Sequence, residues 1–266
     1  MLIAVWIFIF GLIVGSFLNV VVLRLHAKKS FIGGRSSCPH CKHTLSAWEL
    51  IPVLSWVILG GRCRSCRQPI SAQYPLVELT SGLAFLVTYL THPPAGWLDV
   101  AVLVLWLYVI ASLIVLAVYD LKWYILPDKV LLPLIVPAVI IAAIHAFQAG
   151  SYQVFLGPLY AGLLFGGGFY ALAAISKGKW MGGGDVKLAF VMGLLLGLKK
   201  TFLAMLIAFN SAAIFGLVLI AMKRKKRADR IPFGPFLIAG TIIAYLWGGA
   251  IINWYAQITG LYLLDI

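Results

Sequence analysis

Charged residues are scarce in this sequence. Only 11% of its 266 residues are Asp, Glu, Lys or Arg, whereas 62% are hydrophobic and the mean hydropathy is +1.01. A soluble globular domain carries roughly 25% charged residues, so this composition excludes a soluble domain. Acids are the rarer charge, with eight Asp and Glu against 21 Lys and Arg. The sequence therefore predicts an all-α polytopic membrane protein.

The first apolar run lacks the features of a removable signal peptide. No basic residue precedes it and no small-residue cleavage site follows it, whereas positive charges begin after it at Arg24. We therefore expect residues 1–23 to form a retained transmembrane helix with its N-terminus outside. The basic residues are confined to gaps between apolar runs, as the positive-inside rule predicts for cytoplasmic loops. The net charge of +13 is thus interpreted as membrane orientation rather than nucleic-acid binding.

The apolar runs predict about eight membrane helices with both chain ends outside. The predicted helices cover residues 1–23, 76–90, 100–118, 130–147, 154–175, 188–198, 201–222 and 235–255. The sixth is the shortest, and Lys199 and Lys200 after it are the basic residues that this topology leaves outside. A strongly basic loop, residues 223–230, is expected in the cytoplasm.

Cysteine is also rare, and all four cysteines fall in a polar, basic insert at residues 24–75. They form two C-x-x-C pairs, the spacing of a four-thiolate zinc site. The basic residues place the insert on the cytoplasmic side, where disulfides rarely persist, so zinc is favoured over a redox or disulfide role. The neighbouring His40 and His43 are not needed, because four thiolates complete a tetrahedron. The expected ligands are Cys38, Cys41, Cys63 and Cys66.

Three glycines lead directly into a carboxylate in the stretch Met181-Gly182-Gly183-Gly184-Asp185-Val186-Lys187. An acid at the edge of a membrane segment usually has a functional reason to be there and faces protein or water. The glycines can adopt positive φ and let an extended peptide lie beside Asp185. The alternative is a flexible loop whose aspartate only caps the next helix.

Asp120 closes the third predicted helix at the face where Asp185 opens the sixth. Two carboxylates that face each other closely cannot both ionise comfortably, so one keeps a proton while the other serves as base. This is the arrangement of an aspartic protease. The alternative for Asp120 is a helix-end charge paired with Lys122. Asp128 follows Pro127 where a helix N-cap belongs, and a supporting catalytic role is its alternative.

Several blocks, in order and over nearly the whole length, resemble the bacterial type IV prepilin peptidases. These are bifunctional leader peptidases and N-methyltransferases of the GxGD aspartic protease family. The blocks are Gly15-Ser16-Phe17-Leu18-Asn19-Val20 with Arg24-Leu25, the C-x-x-C pairs around Ile51-Pro52-Val53-Leu54-Ser55-Trp56, Tyr74-Pro75-Leu76-Val77-Glu78-Leu79, Asp120 with Leu126-Pro127-Asp128, Gly182-Gly183-Gly184-Asp185-Val186-Lys187-Leu188, and Ile231-Pro232-Phe233-Gly234-Pro235-Phe236.

The resemblance implies that Asp120 and Asp185 are the catalytic aspartates, with Gly182, Gly184 and Asp128 in support. It implies cleavage of prepilins and pseudopilins after the glycine that ends their short basic leader. The cut would take place at the cytoplasmic face of the bacterial inner membrane. The expected partners are thus these substrates and the lipid bilayer, with no nucleic acid.

The resemblance also implies methylation of the new N-terminal residue with S-adenosylmethionine as donor. The family links this activity to the insert, including the loop that holds Gly61 and Arg62 here. This sequence departs from the family pattern at His26, where proline is frequent, and at Arg62, where lysine is common. No glycine-rich nucleotide loop on a strand–helix unit is present in the sequence, so the sequence does not locate the methyl donor.

We therefore expect three parts: a first transmembrane helix (1–23), a methyltransferase-associated insert (24–75) and a membrane aspartic peptidase domain (76–266). Two other functions remain open. One is a peptidase without methyltransferase activity. The other is an ion-coupled transporter whose paired acids relay protons. The transporter is disfavoured because the acids lie at predicted helix ends and the sequence contains no internal repeat.

Overall fold

The computed structural model describes residues 2–30, 33–224 and 231–260, and in these ranges the protein is helical without a β-strand. Met1, most of the predicted basic loop (225–230) and the end of the predicted peptidase domain (261–266) lie outside the described residues. The helices are α1 (Leu2–His26), α2 (Leu54–Ile58), α3 (Gln73–Thr91), α4 (Trp97–Trp123), α5 (Asp128–Leu131), α6 (Ile135–Ala149), α7 (Gln153–Ile175), α8 (Gly183–Ala221) and α9 (Gly234–Thr259), with short 3-10 turns at Ala47–Leu50 and Leu132–Leu134.

Six helical segments are long and apolar enough to cross a bilayer, so the chain is a multi-pass membrane protein. Five of them are the single helices α1, α4, α7, α8 and α9, and the sixth, Asp128–Ala149, combines α5 and α6. The predicted second span falls on α3, whose 19 residues include Gln73 and the buried Glu78 and are less apolar than these six. The prediction that α3 crosses the bilayer stays a prediction.

The sixth and seventh predicted helices form one element, α8, which is broken at Gly197. There the backbone leaves helical geometry with φ 69° and ψ −178°, and only glycine adopts such a conformation readily. The Thr201 hydroxyl reaches back to the carbonyl oxygens of Met192 (3.3 Å) and Gly197 (2.6 Å). Residues nine apart would be about 13 Å apart along a straight helix, so the chain bends sharply here. The predicted break is confirmed, but it precedes Lys199.

The chain divides into two compact units, Met1–Val115 and Leu116–Ile266, and α4 contributes to both. In the first unit α1 packs along α3. A Cβ on Gly11 would lie 2.8 Å from the Cα of Gly82, and one on Gly15 would lie 2.7 Å from the Cα of Glu78. Real Cβ atoms do not approach so closely, so glycine permits this contact, as is common between membrane helices.

In the second unit α8 packs against α7 and α9 at two glycine crossings. Gly162 and Gly193 meet backbone to backbone where α7 crosses α8, and Gly240 meets the carbonyl of Ala204 where α9 crosses α8. An added Cβ at Gly193 or Gly240 would overlap the neighbouring backbone. This close packing fixes α9 against α8, whose N-terminus carries Asp185.

Candidate active site and cysteine cluster

Asp120 lies one turn before the end of α4, which continues to Trp123. Its side chain is buried, with 6% exposed, and its Oδ2 accepts a hydrogen bond from the Gly234 N–H at 3.1 Å. Gly234 is the first residue of α9, where the backbone N–H groups have no partner within the helix. Lys122 instead lies over the Trp123 ring, 5.5 Å from its centroid. The alternative pairing of Asp120 with Lys122 is therefore wrong.

Asp185 occupies the third position of α8, and its Oδ2 accepts the N–H of Gly182 at 3.3 Å. The aspartate thus does bond to the start of its own helix, as the capping alternative predicts. It also lies close enough to Asp120 for the two carboxylate charges to repel each other. The structure thus places the two acids near each other, as predicted, and we call them the aspartate pair.

Leu126 packs between the starts of α8 and α9. Its side chain is buried, and a Cβ on Gly184 would lie 3.0 Å from the Leu126 Cβ. A Cβ on Gly234 would lie 3.3 Å from the Leu126 Cδ2 and only 2.6 Å from Asp120 Oδ2. Glycine at positions 184 and 234 therefore lets the two helix ends approach Leu126 and the aspartate pair.

The glycines before Asp185 do not adopt positive φ. Gly182 is extended, with φ −77° and ψ 151°, and Gly183 and Gly184 already belong to α8. The positive φ that glycine allows is thus not used at these positions. Gly182 contributes its N–H to Asp185, and Gly184 leaves room for Leu126.

Asp128 is not an N-cap, which corrects the prediction. Pro127 occupies the cap position of α5. Both carboxylate oxygens of Asp128 instead accept hydrogen bonds from the Lys187 ammonium group, each at 2.8 Å. Lys187 lies two residues after Asp185 on α8, so the pair joins the Leu126-Pro127-Asp128 segment to the helix that carries the catalytic candidate. Both side chains are about half exposed, at 43% for Lys187 and 52% for Asp128.

Neutralising this ion pair should weaken peptide cleavage without stopping it. Exposed ion pairs contribute about 0.2–1 kcal/mol, so Asp128→Asn and Lys187→Gln should each lower kcat/KM by no more than about fivefold. We expect the double variant to be no worse than either single one, because both remove the same contact. Additive losses in a double-mutant cycle would show that the two residues act separately.

Adding a methyl group at Gly234 should displace Asp120. In Gly234→Ala the new Cβ would stand 2.6 Å from Asp120 Oδ2 and 3.2 Å from its Cγ, so the carboxylate must move and its bond to the α9 backbone must lengthen. A misplacement approaching 1 Å in a catalytic group can cost about 100-fold in rate. We expect a loss of that order in kcat, measured on a purified prepilin substrate.

Gly249→Ala is the matched control for this substitution. Gly249 lies on the same helix, and no atom lies within 4 Å of the position of its Cβ. Alanine also has the higher helix propensity there. Equal activity of the two alanine variants would contradict a steric role for Gly234.

The four cysteines converge as the sequence predicts. All four Sγ atoms lie within 4.8 Å of one another, and Cys38 and Cys66 are 3.8 Å apart. Zn–S bonds of about 2.3 Å in a tetrahedron place sulfur atoms about 3.8 Å apart, so the cluster fits zinc. All four are free thiols, and His43 bonds Glu49 rather than the cluster.

The two C-x-x-C pairs have the same local backbone geometry. The N–H of Cys38 donates to the His43 carbonyl and that of Cys63 to the Gln68 carbonyl, both at 2.9 Å. The backbone N–H of Cys41 lowers the pKa of the Cys38 thiol to about 6, and the backbone N–H of Cys66 lowers the pKa of the Cys63 thiol. The first cysteine of each pair thus favours the thiolate form that binds metal. For Cys66, the backbone bond from Gln68 lowers the pKa, but burial and the other three thiols outweigh it and raise the pKa to about 11.

Gly61 is buried against an aromatic ring, whereas Arg62 is exposed. Gly61 has φ +68°, and a Cβ there would lie 2.9 Å from Trp56 Cζ2. The Gly61 carbonyl accepts the Ile70 N–H at 2.7 Å, and the Ile70 carbonyl accepts the Trp56 indole N–H at 3.2 Å. Gly61 therefore positions Trp56.

Sequence reasoning assigned no role to Gly234, Leu126 or Lys187 at the candidate active site. All three lie inside sequence blocks of the family resemblance, but the residues that they contact are far away in the sequence. Gly234 contacts Asp120, 114 positions away, Leu126 contacts Gly184, 58 positions away, and Lys187 contacts Asp128, 59 positions away. Only the tertiary structure reveals these contacts.

Comparisons with known proteins match both halves of the chain. Residues 9–92 match the bacterial peptidase A24 N-terminal domain and residues 106–217 match the type IV leader peptidase family. No solved structure matches.

Three relatives illustrate the similarity, each a prepilin leader peptidase/N-methyltransferase by name. The chain is 34% identical to the protein of Aeromonas hydrophila, covering 94% of this chain and 92% of the relative. It is 36% identical to that of Bacillus subtilis (strain 168), covering 94% and 96%. It is 32% identical to that of Pseudomonas aeruginosa, covering 94% and 92%. With its two acids brought together and its four cysteines clustered, this chain belongs to the type IV leader peptidase family.

Proposed function

We propose that this protein is a membrane aspartic endopeptidase of the GxGD type that removes the leader of type IV prepilins and pseudopilins and methylates the new N-terminus. The observation that carries the peptidase proposal is the aspartate pair, formed where α4 ends and α8 begins. The names of the relatives support both activities.

In the proposed reaction one carboxylate of the pair is ionised and the other is protonated. The ionised carboxylate takes a proton from water while the water oxygen adds to the carbonyl carbon of the leader's last glycine. The protonated carboxylate donates to the carbonyl oxygen. As the tetrahedral intermediate collapses and the C–N bond breaks, the carboxylate that took the water proton gives it to the departing nitrogen. The other carboxylate takes a proton back from the hydroxyl of the intermediate, which restores the pair. The N–H groups of Gly234 and Gly182 hold the two carboxylates in place through this sequence.

We place the aspartate pair at the cytoplasmic face of the bacterial inner membrane. This orientation follows from the Lys and Arg between the apolar helices. A prepilin presents an apolar helix whose N-terminal end emerges at such an interface, so an enzyme embedded in the bilayer meets the leader junction without extracting its substrate. The half-exposed Lys187 and Asp128 are consistent with a water-accessible helix end.

For methyl transfer, we propose that the four cysteines hold one structural zinc ion and that the insert 24–75 forms part of the transferase. Bound S-adenosylmethionine supplies the methyl group. The zinc-held backbone turns would order an insert whose described part has little regular structure beyond α2 and one 3-10 turn. The first helix, the insert and the peptidase domain 76–266 are proposed as the functional divisions of the chain.

The decisive experiment mixes the purified protein in detergent with a prepilin, with and without S-adenosylmethionine. Mass spectrometry should find mature pilin in both reactions and methylated mature pilin only with the donor. Mature but unmethylated pilin in both reactions would show that the protein is a peptidase without methyltransferase activity. An intact leader under every condition would favour the ion-coupled transporter.

A further inference from the structure

A cavity of about 510 Å³ lies within the first unit, between α1, the insert and the start of α3. Pockets for small molecules and cofactors commonly measure roughly 300–1,000 Å³. The wall combines aliphatic side chains with the aromatic residues Trp56 and Tyr74. It also carries two cysteines, two acids and four basic side chains: Cys38, Cys63, Glu49, Glu78, Arg24, Arg35, His40 and Arg64. None of these residues belongs to the aspartate pair or its supports.

Glu78 is the unusual group in this wall. Only 7% of it is exposed, its Oε2 accepts the Val53 N–H at 2.7 Å, and the Ser16 side chain also hydrogen-bonds to its carboxylate. No Lys, Arg or His forms an ion pair with Glu78 in residues 2–30, 33–224 and 231–260. A buried carboxylate is costly unless a cation balances it. Glu78 is therefore suited to a positively charged group of a ligand, whereas the arginines of the same wall suit an anionic group such as a carboxylate.

Glu49, the other acid of the cavity wall, differs from Glu78 because its carboxylate is bound by neighbouring residues, including a histidine. Glu49 accepts the Ser46 N–H (2.9 Å), the Ser46 hydroxyl (2.8 Å) and His43 (3.4 Å), and these contacts lower its pKa, the Ser46 N–H most. Its role in the structure is to begin the Ala47–Leu50 turn. Glu78 therefore remains as the acid available for a ligand.

Two aromatic side chains complete the site. Trp56 is held by its indole bond to Ile70 and by contact with Gly61, and Tyr74 lies one turn before Glu78 on α3. Aromatic faces attract cations and stack on planar heterocycles. The residue that the family resemblance links to methyl transfer, Gly61, thus supports a wall of this cavity.

We infer that this cavity binds S-adenosylmethionine and that Glu78 balances the donor's positive charge. The inference rests on the proposed methyl transfer and locates its donor. The donor has an adenine that suits the aromatic wall, and it carries a sulfonium and an ammonium group that suit the buried carboxylate.

The test measures donor binding by calorimetry on the full-length protein in detergent, comparing wild type with Glu78→Gln. Glutamine keeps an oxygen for the Val53 N–H and removes only the charge. We expect S-adenosylmethionine to bind at least about tenfold more weakly to the variant, as the loss of a partly buried charge pair requires. 5′-Methylthioadenosine, which has the same nucleoside but neither cation, should bind equally to both proteins.

Asp99→Asn is the control, because Asp99 lies in the first turn of α4 and accepts the N–H groups of Ala95 and Gly96 outside the cavity. Zinc content reports that the insert remains folded in each variant. Equal weakening of both ligands, or unchanged binding of S-adenosylmethionine, would overturn the role of Glu78. If the wild-type protein methylates pilin and the Glu78→Gln variant binds the donor normally, the inferred role of Glu78 is wrong and the proposed methyl transfer stands. Wild type that neither binds the donor nor methylates would overturn the proposed methyl transfer as well.

Discussion

Replacing either member of the aspartate pair with asparagine should stop leader cleavage. In Asp120→Asn the amide oxygen can still accept the Gly234 N–H, and in Asp185→Asn it can still accept the Gly182 N–H, so both helix ends keep their contacts. Neither amide can take a proton from water or donate one to the scissile carbonyl. General acid–base catalysis contributes about 10²–10⁴-fold, and we expect each variant to lose at least that factor in kcat.

The measurement is the rate at which mature pilin appears by mass spectrometry, normalised to enzyme recovered in the membrane fraction. Asp128→Asn is the matched comparison, because it makes the same chemical change a few residues away at an exposed ion pair. It should retain most activity. An inactive Asp128→Asn together with an active Asp120→Asn would show that the catalytic acids have been assigned wrongly.

The fold class follows from composition because a chain so poor in charge can bury its apolar surface only in a bilayer. The bounds of several long helices also follow closely, but α4 continues to Trp123, past the predicted end at residue 118, and α6 and α9 end at glycines rather than at charged residues. The break in α8 was harder to place. Lys199 and Lys200 mark the interruption in the hydropathy pattern, but the backbone turns at Gly197, where positive φ is tolerated.

The chemistry-bearing residues were predictable, but their neighbours were not. Spacing alone indicates four thiolates for one metal, and the structure brings those four sulfur atoms together. The carboxylate of Asp128 instead illustrates the limit. The local sequence favours an N-cap at Asp128, directly after Pro127. Both oxygens of Asp128 are instead hydrogen-bonded by the ammonium group of Lys187, 59 residues further along the chain. A long-range ion pair has no signal in the local pattern that propensities describe.

Removing two zinc ligands should separate the two activities. Structural zinc contributes about 10–16 kcal/mol to the folding of small metal-binding domains, so Cys38→Ser with Cys41→Ser should disorder the insert. The cysteines belong to the unit Met1–Val115, whereas both members of the aspartate pair belong to Leu116–Ile266. The pair is held by the packing of α8 against α7 and α9 and by the Gly234 N–H, none of which involves the insert.

We therefore expect reduced but measurable leader cleavage and near-complete loss of methylation, observed as mature pilin without the methyl group. Zinc measured by elemental analysis should fall from one per chain to below that value. Wild-type methylation in the double variant would show that the insert is not needed for methyl transfer. Loss of cleavage to the level of Asp120→Asn would instead show that the geometry of the aspartate pair depends on the insert, because the acids themselves are unchanged in this variant.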